Sequence, residues 1–146
     1  VSYWDTSALV KLYAPETDSP IFEQFAQEST APSVTAWIAT WEARATFRRK
    51  ETDGDIKPGA TEILFSELLA DIAASEWRVM APDANVQAEY GRVLDLCSQQ
   101  NPRVLIRTLD AIHLACARVA GETEIVATDI RLRKTAMALG FSLFPK

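Results

Sequence analysis

The opening thirteen residues constrain the fold more than any other stretch. A short apolar segment, Val1–Trp4, runs directly into Asp5, then into the hydroxyls of Thr6 and Ser7. Ala8, Leu9, Leu12 and Tyr13 then follow at helical spacing. The pattern predicts a strand, a sharp end and a helix start, with Thr6 or Ser7 as N-cap. Asp5 is thereby placed at the carboxyl end of the first strand. In open α/β sheets that edge is where ligands bind.

The rest of the chain alternates in the same way. Ile21–Glu28 has a short amphipathic period, and a connector with Pro32 follows, with room for a short extended segment. A long helix is expected from Thr35, with Val34, Trp37, Ile38, Trp41 and Ala45 as its buried stripe and Glu42 beside that stripe. Residues 60–75 form another amphipathic pattern, with Ile63, Leu64, Leu68, Leu69 and Ile72 facing inward. Trp77–Ala81 reads as a strand stopped by Pro82, and 85–99 as a helix. Thr108–Ala120 is nearly all apolar, as expected of a buried helix, with Thr108 as N-cap and Asp110 in its first turn. Glu124–Thr128 is a strand that delivers Asp129 at its carboxyl end. A helix over 131–139 and a strand over 141–144 finish the chain. This order predicts an α/β fold, a three-layer α/β/α sandwich around a mostly parallel sheet. Its 146 residues suffice for one domain, and no linker or repeat divides them.

No apolar run approaches the length of a membrane span, and no basic stretch followed by an apolar one marks a secretory signal. Cys97 and Cys116 each sit in an apolar helical pattern, which predicts buried free thiols in a reducing, cytoplasmic setting. No Cys or His pair has zinc-ligand spacing. The net charge of −5 argues mildly against nonspecific binding to a polyanion, but local patches decide such binding.

Four acids stand where a solvated surface charge is not the obvious explanation: Asp5, Glu42, Asp110 and Asp129. Singly, each has an ordinary alternative, such as a first-turn acid on a helix dipole for Asp110 or a salt-bridged helix acid for Glu42. Brought together, they would repel one another and lose hydration, and some would have to take up protons. A hard divalent cation resolves that conflict, since Mg²⁺ or Mn²⁺ prefers carboxylate oxygen and water. Such a centre suits hydrolysis of a phosphodiester.

Four segments in order carry a resemblance to a known family. Trp4-Asp-Thr-Ser-Ala-Leu-Val-Lys-Leu-Tyr13, Trp41-Glu-Ala-Arg44, Arg107-Thr-Leu-Asp-Ala-Ile-His-Leu-Ala115 and Ala127-Thr-Asp-Ile-Arg-Leu132 resemble the motifs of PIN-domain ribonucleases. The chain most resembles the VapC-type toxins of toxin–antitoxin pairs. The resemblance implies a single PIN domain over 1–146 and Mg²⁺- or Mn²⁺-dependent endoribonuclease activity. Water activated by the ion would cleave RNA to leave 5′-phosphate and 3′-hydroxyl ends. It implies Asp5 and Asp110 as metal ligands, with Glu42 and Asp129 as the remaining catalytic acids, binding directly or through water. Thr6, Ser7 and Thr128 match the hydroxyl positions beside those acids and are expected to orient carboxylates or water. The implied partners are an RNA substrate, a VapB-like antitoxin and a second copy of the chain.

Arg107, Arg131, Arg133 and Lys134 flank the last two motifs and are candidates for phosphate contacts. Arg44, Arg48, Arg49 and Lys50 have three open readings: an RNA groove, a docking site for an acidic antitoxin segment, or a solvated helix end. Lys11 has a weaker claim. His113 is expected to pack and hydrogen-bond a neighbour rather than act as a base. Trp37 and Trp41 are expected in the core, with a dimer contact as the second reading. The rival functions are a non-catalytic PIN module that binds RNA or acts as a scaffold, and a strand-end-Asp phosphotransfer protein. The haloacid-dehalogenase form of the latter needs a second Asp where Ser7 stands, and a receiver needs a late-strand Lys that is not evident.

Overall fold

A computed structural model describes residues 1–146. Five parallel strands form one sheet in the order β3-β2-β1-β4-β5: β1 Tyr3–Trp4, β2 Ser33–Ala36, β3 Trp77–Met80, β4 Glu124–Val126 and β5 Ser142–Phe144. The expected α/β/α sandwich is therefore present, with every pairing parallel. The chain moves outward from β1 through β2 and β3, then returns to the other side of β1 for β4 and β5. The gap between β1 and β4 is thus the point where strand order reverses, and the crevice at its carboxyl end is the favoured ligand position in such sheets.

Tyr3 pairs with Ile125 and Val34, and Trp4 with Val126. Strand side chains alternate between faces, so the two residues of β1 serve different cores. Tyr3, Val34, Ile125 and Leu143 pack under α5 (Ala84–Gln99), α6 (Thr108–Ala120) and α7 (Ile130–Ala138). Trp4, Trp77 and Val126 pack under the helices of the other face, α1 (Thr6–Leu9), α2 (Ser19–Gln27), α3 (Trp37–Thr52) and α4 (Ala60–Ala73). Trp4 anchors that second core through edge-on contacts with Phe22 and Trp77. Burial on both faces explains why the strands read as short continuous apolar runs.

Four local expectations are corrected. Residues 33–36 form β2, and the long helix starts at Trp37 rather than Thr35. Val34 and Thr35 are β-branched and are claimed by pairing with β1 and β3. The buried stripe of α3 is Ile38, Ala39, Ala43 and Phe47, while Trp41 is 72% exposed and Ala45 lies outside the core. On α4 only Leu68 of the expected apolar stripe is buried; Leu64 and Ile72 are partly covered, and Ile63 and Leu69 are exposed. Arg107, not Thr108, is the N-cap residue of α6. Cys97 and Cys116 are buried free thiols, as expected. No helix is long and apolar enough to cross a membrane.

Candidate active site

Asp5 itself caps α1, in place of Thr6 or Ser7. Its backbone N–H donates to the Val126 carbonyl at 3.0 Å, continuing the β1–β4 ladder one residue past the strand. Its Oδ2 accepts the Ser7 N–H at 3.1 Å and the Ser7 hydroxyl at 2.6 Å. The carboxylate is held by the turn it caps, and it is buried.

Ser7 does more than serve Asp5. Its Oγ accepts the backbone N–H groups of Thr128 at 2.9 Å and Asp129 at 3.2 Å. One hydroxyl therefore fastens the turn after β1 to the turn after β4. Thr128 returns a long hydrogen bond, 3.4 Å, to the Ser7 carbonyl. The Thr128 hydroxyl thereby adds a second contact between the two turns. Thr6 donates to Glu42 Oε1 at 2.8 Å.

Asp129 caps α7, and its Oδ1 accepts the N–H groups of Arg131 at 2.9 Å and Leu132 at 3.0 Å. Burial alone would raise its pKa, but these donors and Arg107 outweigh it and hold the carboxyl below its ordinary value. Asp110 differs. Burial is the largest influence and pushes its carboxyl above the usual range, and the charges of Asp129 and Asp5 push the same way. Arg107 offsets this only in part, although its Nε donates to Asp110 Oδ2 at 2.7 Å. The same guanidinium reaches both oxygens of Asp129 at 3.1 Å, and these two carboxylates strengthen its hold on its proton.

His113 is the residue whose importance the sequence understated. It is buried beneath the acids, with Nδ1 2.7 Å from the Tyr3 hydroxyl and Nε2 2.6 Å from Glu42 Oε1. The same Nε2 lies 3.4 Å from Asp5 Oδ1. It packs and hydrogen-bonds, as expected, but its partners are two of the four acids. Burial opposes a charged ring, yet Asp5 and Glu42 overcome this and raise its pKa. Glu42 would be raised by burial, but the His113 hydrogen bond and charge hold it low. The signal for this role was the three-residue spacing from Asp110, which puts both side chains on one helical face.

Asp5, Glu42, Asp110 and Asp129 all line one polar cleft of about 620 Å³. The structure brings together all four acids expected from sequence, linked in pairs through His113 and Arg107. In this conformation no three of the His, Cys, Asp and Glu side chains stand in cation-holding geometry. The donor set nonetheless suits a hard cation: four carboxylates at one sheet edge, with the pKa of Asp110 raised chiefly by burial and further by the charges of Asp129 and Asp5. Asp5 Oδ1 lacks a short hydrogen bond, and Glu42 shares one oxygen between Thr6 and His113.

The basic residues sort into groups. Arg49 and Lys50 line the cleft. Lys50 is paired with Glu16, which also holds Lys11, and Lys11 reaches Asp18 at 2.8 Å. Arg49 makes no ion pair. Arg44 and Arg48 turn away to Glu62 on α4, and Arg48 also pairs with Glu51. Arg131 and Lys134 border a smaller hollow beside Arg107. Arg133 instead donates to the carbonyls of Ala127 and Pro145, both at 2.8 Å, so its guanidinium fastens β4 to the C-terminal segment.

The PIN domain family profile matches residues 2–137, so the chain belongs to the PIN domain family. Among solved structures it is similar to VapC20 of Mycobacterium tuberculosis, a sarcin–ricin-loop-cleaving toxin, at 18% identity and a TM-score of 0.67. That match covers 97% of this chain and 96% of the other. It is similar to FitAcB of Neisseria gonorrhoeae at 14% identity and a TM-score of 0.70, covering 99% and 96%. It is also similar to VapBC2 of Rickettsia felis, bound to a DNA fragment from its promoter, at 16% identity and a TM-score of 0.61, covering 97% and 96%. No curated protein matches the chain.

Proposed function

We propose that this PIN domain is a divalent-metal-dependent endoribonuclease acting as the toxin of a toxin–antitoxin pair. The observation that carries this reading is the convergence of Asp5, Glu42, Asp110 and Asp129 on one cleft at the reversal point of the sheet. Asp5 and Asp110 are the ligands proposed for Mg²⁺ or Mn²⁺, with Glu42 and Asp129 binding directly or through water. A cation held there would supply Lewis-acid activation of water and offset charge on the phosphate.

The protein's own groups do the positioning. Ser7 fixes the Asp5 carboxylate and the Asp129 backbone in one frame. Thr6 and His113 fix Glu42. Arg107, Arg49 and Lys50 give an acidic cleft the cationic surfaces that a polyanion needs. Similarity to VapC20 and to toxin–antitoxin complexes supports RNA as substrate and a separate antitoxin as partner. The exposed indole of Trp41 supports a contact surface on α3, for an antitoxin or for a second copy in a homodimer.

The test is cleavage of a mixed RNA pool with Mg²⁺ or Mn²⁺, with EDTA, and with Asp5→Asn, followed by sequencing of the ends. Cation-dependent 5′-phosphate ends that disappear in the variant are expected. Absence of cleavage, together with absence of carboxylate-dependent Mn²⁺ binding, would leave the non-catalytic module as the reading.

A further inference from the structure

Arg107 is the one arginine or lysine that touches two of the four acids. Its Nε takes Asp110 Oδ2 at 2.7 Å, and its Nη2 takes both oxygens of Asp129 at 3.1 Å. The planar fork of guanidinium suits such pairing, and the pairing neutralises carboxylates that burial brings together. The side chain is 46% exposed. It stands at the N-cap of α6, at the end of an irregular segment in which Leu105 is 82% exposed. Little packing therefore opposes its departure.

We infer that Arg107 is the resident counter-cation of this site: a divalent ion that takes Asp110 and Asp129 displaces its guanidinium, which then receives the substrate phosphate. The inference rests on the metal-site reading above. A guanidinium and a cation compete for the same carboxylate oxygens. Once displaced, Arg107 remains beside the cleft with its donors free, next to the hollow that Arg131 and Lys134 border. One side chain would thus hold the acids in place before the ion arrives and hold the phosphate afterwards.

The two roles predict effects of opposite sign in one variant. Mn²⁺ binding is followed by the paramagnetic resonance of the free ion in wild type, Arg107→Gln, Arg107→Lys and Arg131→Gln. Arg107→Gln should bind Mn²⁺ roughly tenfold more tightly, the lower end of what one hydrogen bond to a charged group is worth. Arg107→Lys should fall between, since it keeps the charge and loses the fork. Arg131→Gln, which removes a nearby charge that touches no acid, should change little. In saturating Mn²⁺ the KM of Arg107→Gln for RNA should rise while kcat changes less. Equal Mn²⁺ affinity in wild type and Arg107→Gln would overturn the inference and leave the nuclease reading standing. So would an equal gain in Arg131→Gln, because charge alone would then explain it. An unchanged KM would overturn the phosphate role. If neither wild type nor Arg107→Gln binds Mn²⁺, the metal-site reading fails and the inference fails with it.

Discussion

Nε2 of His113 lies 2.6 Å from Oε1 of Glu42, below the floor of the acidic cleft. The ring is 1% exposed, and its other nitrogen is 2.7 Å from the Tyr3 hydroxyl. His113→Ala would leave a carboxylate and a phenol without their partner. A loss of about 2–4 kcal/mol is expected in denaturant unfolding. Stability within about 0.5 kcal/mol of wild type would show that Glu42 and Tyr3 find other partners.

Ser7→Ala removes one donor from Asp5 and the acceptor of two backbone N–H groups. A cost of about 1–3 kcal/mol is expected for the groups left unsatisfied. The sharper readout is amide hydrogen exchange at Thr128 and Asp129, which should accelerate while amides within β4 stay protected. Unchanged exchange at those two amides would mean that Ser7 does not join the turns in solution.

The basic end of α3 should divide in function. Arg49 lines the cleft and has no ion partner, whereas Arg44 and Arg48 are spent on Glu62. Arg49→Ala should raise the KM for RNA and flatten the salt dependence of binding by about 0.7 in log–log slope, the value for one single-strand phosphate contact. Arg44→Ala and Arg48→Ala should leave the slope unchanged. An equal effect in all three would assign RNA binding to the helix end as a whole.

Acid sensitivity should trace in part to Glu89. It bridges Arg118 at 2.6 Å and Arg92 at 2.7 Å, joining α5 to α6. Burial would raise its pKa, but the two arginines outweigh burial and lower it. A carboxyl with a depressed folded-state pKa stabilises above its unfolded value, about 4.3, and that stabilisation is lost as pH falls through the folded value. Glu89→Gln should therefore be less stable than wild type near neutrality, with the difference closing below about pH 4. A difference that persists at low pH would point to packing rather than charge.

Asp110 should show the reverse sign. Its folded-state pKa is raised, so ionisation opposes folding above the unfolded value of about 3.9. Asp110→Asn should match or exceed wild-type stability at neutral pH, lose that advantage as pH falls, and lack cleavage. A clear drop in melting temperature at neutral pH would mean that the carboxylate supports the start of α6 instead.

The positions of the acids were legible because each follows a local rule. Asp5 and Asp129 end apolar strands, Asp110 opens an apolar helix, and Glu42 recurs with the helical period. Their linkage was not legible. Ser7 meets Thr128, and Arg107 meets Asp129, only because β1 pairs with β4 in one register. The β2 strand was hidden because it runs into α3 with no residue between them. Trp41 was misplaced because periodicity counts apolar residues without showing which face another element covers. Its neighbours at Ala39 and Ala43 are buried instead, in the core that Trp4 and Val126 form on that face of the sheet.

The Ser7 bridge also sets an order of events during synthesis. Its two ends lie more than a hundred residues apart in sequence, so the bridge closes a long loop and Asp5 is made well before Asp129. A ribosome-bound chain that stops short of β4 carries Asp5 and Glu42 but has no strand on which to seat them beside Asp129. The four-acid cluster is therefore assembled only once β4 has been made and paired with β1, and a fragment ending before residue 129 should lack it.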